Sequence, residues 1–178
     1  MYTAEQIANF YISLVRNDPD NDMTNMKLNK LLYFAQGRYL VKKGVPLFSD
    51  NIEAWEHGPV INSVYQKYKY CGSSPISVVD DDYGYDNFSS DDINFLLDIY
   101  DEYGKYSASK LRKMTHEIGS PWEEVYKHKS SLHEEILNSD IKKYFLKEAP
   151  MKEFSGFSNM SATKVCTRDE DGTLVVPR

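Results

Sequence analysis

Cysteine is scarce: the 178 residues hold only Cys71 and Cys166. Two cysteines are too few for a disulfide scaffold, and neither has a CxxC partner. A cytoplasmic protein with reduced thiols is the expected setting. Long apolar runs are missing as well, none approaching the roughly 18 residues that cross a bilayer. The chain begins MYTAEQIANF, with no basic segment ahead of an apolar one, so no secretory signal and no membrane partner are expected. Positive charge is the minority sign, with 21 basic against 27 acidic residues and a net charge of −6. That balance weighs against nucleic acid, whose phosphates are bound mainly through Lys and Arg. The nine glycines are scattered. No Walker loop, G-x-G-x-x-G or G-x-S-x-G occurs, and an enzyme reading has no positive support.

What is present is a core. Hydrophobic residues make up 41% of the chain, enough for one ordinary folded domain. Aromatics reach 13%, with 14 Tyr but only 2 Trp. Tyrosine pairs an apolar body with a polar tip, which suits half-buried positions and protein interfaces.

Periodicity predicts mostly helices. Thr3 and Gln6 have capping-box spacing ahead of Ile7, Phe10, Tyr11, Leu14 and Val15, one helical face that stops at Asn17-Asp18-Pro19. Thr24 caps a long central helix to about Lys43, stopped by Gly44, with Lys27, Lys30 and Arg38 on its solvent side. Residues 45–48 and 52–56 read as a small hairpin, and Pro59 as the first turn of a third helix ending near Cys71-Gly72. Residues 73–88 read as an acidic loop, with Tyr83 and Tyr85 as partner-contact candidates. Ser89 or Ser90 caps a fourth helix with Ile93, Leu96, Leu97 and Tyr100 inward, and Gly104 ends it. Ser107 opens a short fifth helix, Ser120-Pro121 a sixth, and Ser131 a last stretch with a break near Asn138-Ser139. Residues 163–176 read as a weak C-terminal β-hairpin, marginal unless something orders it. The fold expected is mainly α: a compact bundle of about six or seven helices with a small β element near residues 46–57.

Chemical motifs are thin. A helical zinc site needs His-Glu-x-x-His, and neither His116 nor His133 has the second histidine, so neither a metal nor a cofactor is expected. The run Asp18, Asp20, Asp22 starts like a calcium loop, but Met23 and Asn29 stand where Gly and Glu are required. A small enzyme using His57 and His116 would need the two side by side. The densest segment is Glu53-Ala54-Trp55-Glu56-His57-Gly58-Pro59-Val60, read as a rigid elbow packing Trp55 on the core, or as a partner anchor.

These residues carry a family resemblance. Thr24-Asn25-Met26-Lys27-Leu28-Asn29-Lys30-Leu31-Leu32-Tyr33-Phe34-Ala35-Gln36-Gly37 resembles a signature helix of the SocA-like antitoxin domain, also called Panacea. Pro46-Leu47-Phe48, Ile52 to Val60 and Val64-Tyr65 continue it, and Ser109 to His116 with Ser120-Pro121-Trp122 resemble its second signature. The resemblance runs over about residues 2–147 in the same order and leaves the segment past Pro150 without a counterpart. It implies a non-enzymatic protein that binds and neutralises a cognate protein toxin. The alternatives it raises are an adaptor delivering the toxin to a ClpXP-type protease and a DNA-binding autorepressor. Its signature positions, and so the partner-binding candidates, are Lys27, Lys30, Tyr33, Trp55, His57, Gly58, Pro59, Tyr65, His116, Pro121 and Trp122. Residues 1–148 are the expected helical domain, and 149–178 a tail that would set partner specificity.

Overall fold

The computed structural model describes residues 1–77, 88–128 and 131–148, together with two short strands at 167–168 and 174–175. Seven helices occur among the described residues. Helix α1 (Ala4–Val15) opens with the expected capping box: the Thr3 hydroxyl accepts from the Gln6 N–H, and the Gln6 side chain accepts from the Thr3 N–H. Helix α2 (Asn25–Lys43) is capped by Thr24 and ends at Gly44, as its sequence predicts.

The position of α2 is the main fact of the fold. It touches α1 and, further along the chain, β2 (Gly58–Val60), α3 (Asn62–Tyr68), α4 (Ser90–Tyr103), α5 (Ala108–Thr115) and α7 (Asn138–Phe145). A helix surrounded this way is buried on nearly every side, so a one-sided stripe is not what its sequence encodes. Leu28, Leu31, Leu32, Phe34 and Ala35 are buried, each Leu worth roughly 1.5–3 kcal/mol. Helix α7 comes so close that a Cβ on Gly37 would lie 2.3 Å from the Phe145 ring. The expected solvent side of α2 is overturned by the same geometry. Lys27 and Lys30 are each 1% exposed, and Arg38 is tucked against Glu102, Glu148 and the Tyr103 hydroxyl.

The hairpin lies slightly further along the chain than expected. Strand β1 (Glu53–Trp55) pairs antiparallel with β2, Trp55 opposite Gly58. Pro59 is therefore in a strand, and α3 starts only after Ile61. Pro59 sits opposite Ala54, in a two-stranded sheet where its missing N–H leaves no interior ladder broken. Residues 46–48 instead run beside the N-terminus. The Tyr2 N–H donates to Leu47, and the Gln36 amide oxygen accepts from the Leu47 and Phe48 N–H groups.

The stretch from Ser131 is the other correction. Residues 134–136 are extended and lie along the free edge of β1, with Ala54 N–H donating to Glu134 at 2.8 Å and Ile136 N–H to Ile52 at 2.7 Å. Helix α7 begins where a break was expected. In α4 the buried face is Asp92, Phe95, Leu96, Ile99 and Tyr103, while Ile93, Leu97 and Tyr100 are only partly covered. Burial alone would raise the Asp92 carboxyl. Hydroxyl donors Tyr2, Ser89 and Tyr39 outweigh it and hold the group below its ordinary range. In the tail, Thr167–Arg168 pairs antiparallel with Leu174–Val175. The remainder of the expected hairpin, Cys166, Tyr83, Tyr85 and the acidic run at 80–82 lie outside the described residues.

Candidate functional site

The hairpin β1–β2 gathers most of the signature residues. Its backbone lies over α2, and its turn, Glu56-His57, projects into solvent. Gly58 has φ +101, a conformation open to glycine and costly for other residues. It also lacks room: a Cβ there would fall 2.8 Å from Lys30 Cε and from Thr115 Oγ1, and 3.1 Å from His116 Cε1. Gly58, Pro59, Lys30 and His116 therefore meet at one point, and a side chain at 58 would push the strand off the helix.

Two aromatic–imidazole stacks stand on this hairpin. Trp55 lies face to face with His133, ring centres 3.9 Å apart and planes at 9°, with Tyr65 tilted against it at 4.8 Å. Trp55 Nε1–H donates to Glu53 at 2.7 Å. His133 is the one non-glycine residue with positive φ among those described, at 59°. The second, tilted at 39°, is His116 against Trp122 with ring centres 3.6 Å apart, and Tyr126 stacks on Trp122 at 4.7 Å. The stacks are joined because Trp122 Nε1–H donates to the Trp55 carbonyl at 2.7 Å. Helix α6 (Pro121–His128) aims Trp122 there. The Ser120 hydroxyl accepts from Glu123 N–H and donates to the Thr115 carbonyl, and Pro121 fills the first turn, as the Ser-Pro pair predicts. His116 Nδ1 is 2.7 Å from the Arg112 carbonyl, an arrangement that places its proton there. Burial holds the His116 ring below the ordinary histidine range.

The hydrogen bond between the two tryptophans gives a direct expectation. Trp122→Phe leaves the Trp55 carbonyl without its indole donor and a small void beside His116. The loss of stability should be about 1–3 kcal/mol, read as a shift of the urea midpoint. An unchanged midpoint would mean that the two stacks are held independently.

Two buried lysines frame the site differently. Lys27 Nζ donates to Asp22 and to the Gly104 carbonyl, both at 2.6 Å, and ties α2 to the end of α4. Lys30 Nζ donates to the Pro59 carbonyl at 2.7 Å, and no carboxylate pairs with it among the described residues. Desolvation, with Arg112 nearby, brings its pKa down from 10.5 to about 7. Asn29 completes the clamp: its carbonyl accepts from Ile61 N–H, and its amide donates to Asn25. Tyr33 lies away from this cluster, buried edge-on against Phe34 and Phe145 in the core.

Between α2, the hairpin, α3 and His133 lies an open cavity of about 360 Å³. Trp55, Tyr65 and Met26 supply its apolar walls, and Lys30, His57 and Lys69 are among its basic lining. Among the described residues no group of three His, Cys, Asp or Glu could hold a metal, and no helix is long and apolar enough to cross a membrane.

The family model for the antitoxin SocA-like, Panacea domain matches residues 28–123, which runs from α2 through the hairpin to the start of α6. The chain belongs to this family. A curated relative, Antitoxin SocA of Caulobacter vibrioides, is 34% identical over 119 residues, covering 60% of this chain and 61% of the relative. The chain thus spans less than two thirds of that relative's length. No solved structure matches. The matched Panacea segment contains every partner of the Gly58 junction and both tryptophans, and it stops before His133. Sequence reasoning missed His133 as part of the site because nothing in Leu132-His133-Glu134 marks a left-handed residue destined to stack on Trp55. Asn29 was missed as well, although it sits in the signature helix, because an asparagine accepting from a distant backbone N–H has no local pattern.

Proposed function

We propose that this protein is an antitoxin that neutralises a cognate protein toxin by direct binding. Membership of the SocA-like family carries the reading, and the named antitoxin relative supports it. The described fold suits such a role. A hairpin with its backbone clamped to the central helix holds Trp55 partly exposed, near His57 in solvent. Trp is among the residues that dominate binding energy at protein interfaces. Residues 1–148 are the binding body in this reading, and 149–178 an appended segment that adjusts partner choice. Trp55, His57 and Tyr65 are assigned to the partner side of the site. Lys27, Tyr33, Gly58, Pro59, His116, Pro121 and Trp122 are assigned to holding it in shape.

The test is co-expression with the protein encoded by the adjacent gene, under separate promoters, with growth and toxin abundance followed together. Growth should stop with the neighbour alone and resume with both, toxin abundance unchanged and the two proteins co-purifying. A harmless neighbour, or one still toxic beside this chain, overturns the reading. Restored growth with a falling toxin level would replace direct neutralisation by delivery to a protease.

A further inference from the structure

Helix α5 and the turn before it carry positive charge that the fold leaves unmatched. Residues 105–116 hold Lys105, Lys110, Arg112 and Lys113 with no Asp or Glu among them, so the rest of the chain stands at −10 against this +4. Elsewhere Lys27, Arg38, Lys67 and Lys127 each meet a carboxylate. None of the four cations of this segment forms an ion pair among the described residues. The acids nearest in the chain do not neutralise them. Glu102 meets Arg38, Glu117 accepts from the Tyr144 hydroxyl, and Asp101 is exposed on α4 without an ion pair. Glu56 approaches α5 through its carbonyl, 3.5 Å from His116 Nε2. Leu111 and Thr115 are the buried side of α5, which rests on α2 and β2. Lys110 and Lys113, three residues apart, are therefore neighbours on the outer face, and both are exposed. Between 105 and 116 no large apolar residue stands exposed. Protein interfaces rest on such anchors and are depleted in lysine. The entry to α5 is pinned as well. Helix α4 ends at Tyr103, and Gly104-Lys105-Tyr106-Ser107 leads straight into α5, whose first turn Ser107 caps. The Gly104 carbonyl accepts from the buried Lys27 ammonium at 2.6 Å. Two helices joined by a four-residue turn with a glycine form the order in which many proteins offer a second helix to nucleic acid.

We propose that the outer face of α5 binds the phosphate backbone of a nucleic-acid duplex. Lys110 and Lys113 make the contacts, and Lys105 at the turn and the partly exposed Arg112 add to the field. Contacts of this kind position a protein on a duplex without reading its bases. The acidic remainder of the chain opposes the approach, so binding is weak and sensitive to salt. The overall charge of −6 hides this face because it averages a local +4 with everything else. The proposal does not depend on the toxin-binding reading, and each stands or falls by its own measurement.

The full chain is titrated into labelled duplexes of about 20 base pairs and mixed sequence, one of DNA and one of RNA, and fluorescence anisotropy is followed between about 50 and 200 mM salt. At least one duplex should be bound at the lower salt, with affinity falling at least tenfold by the higher. Lys110→Gln combined with Lys113→Gln should weaken binding at least fivefold and lower the salt slope by about two, with the melting temperature unchanged. Lys142→Gln combined with Lys147→Gln removes the same charge on and just past α7 and should leave affinity within about twofold. No binding to either duplex at the lower salt overturns the proposal. So does native affinity in the α5 pair, or an equal loss in the α7 pair, which would make the effect one of net charge alone. Binding to phosphatidylserine vesicles and to neither duplex would assign the face to a membrane surface and overturn it as well.

Discussion

Lys30→Met should make the protein more stable at pH 7, and the gain should fade as the pH rises. Lys30 is fully buried, donates a single hydrogen bond to the Pro59 carbonyl, and faces no carboxylate among the described residues. Its pKa falls from 10.5 to about 7 because burial strips water from the ammonium. Between pH 7 and 9 the unfolded chain still carries the proton that the folded chain has lost. Unfolding then takes up a proton, and stability rises with pH at up to about 1.4 kcal/mol per unit. Methionine has similar reach and nothing to titrate. Against the relief of desolvation stands an orphaned Pro59 carbonyl, costing about 1–3 kcal/mol. The net gain at pH 7 should be about 1–3 kcal/mol, shrinking by roughly 2 kcal/mol by pH 9. Urea unfolding of both proteins at the two pH values reads this. A variant less stable by the same amount at both values would show that the native ammonium is well compensated.

That cost has a location. The buried cation lies under the hairpin that presents Trp55 and forms part of the cavity lining. Natural chains break local rules chiefly at functional sites. Lys27, three residues earlier on the same helix, breaks no such rule: its ammonium meets Asp22 and a carbonyl and serves to join α2 to α4. Two lysines with the same sequence signature thus have opposite electrostatic standing.

The helices were legible where local chemistry decides them. Thr3, Thr24, Ser89, Ser107 and Ser120 each announce an N-terminus, and each caps one through its hydroxyl. What failed was whatever depends on distant partners. Lys27 and Lys30 look solvated in sequence because a lysine on a helix usually is. Only the encirclement of α2 by six later or earlier elements buries them. Pro59 suits a helix start and a sheet edge equally, and the choice is made by pairing with Ala54. Ile136 fits a helical stripe with Leu132, yet the free edge of β1 offers two backbone hydrogen bonds that draw 134–136 into an extended form. The site was half visible. Trp55, His116 and Trp122 stand out as residue types, but their joining through one indole–carbonyl bond, and the His133 stack, exist only once the chain is folded.

Gly58→Ala should be the most damaging single-methyl change in the site, with a loss of about 3–5 kcal/mol. One part is conformational: φ +101 is a region where an L-residue pays about 1–3 kcal/mol. The other part is steric, and it depends on whether the neighbours can yield. Lys30 Cε, 2.8 Å from the new methyl, is fixed because the ammonium it carries is held by the Pro59 carbonyl. Thr115 Oγ1, also at 2.8 Å, is fixed by its bond to the Arg112 carbonyl. His116 is held between that same carbonyl and the Trp122 ring. None can move without giving up a buried contact, so β2 must lift from α2. The control is Gly119→Ala. Gly119 also has positive φ, +78, but nothing lies within 4 Å of its Cβ position, so only the conformational part is lost there. Gly58→Ala should therefore exceed Gly119→Ala by about 2 kcal/mol in urea unfolding, and should shift the Trp122 indole resonance as the bond to Trp55 lengthens. Equal losses at the two glycines would mean that the hairpin rises off the helix without resistance, and that the Lys30–Gly58 contact does not hold Trp55 where it stands.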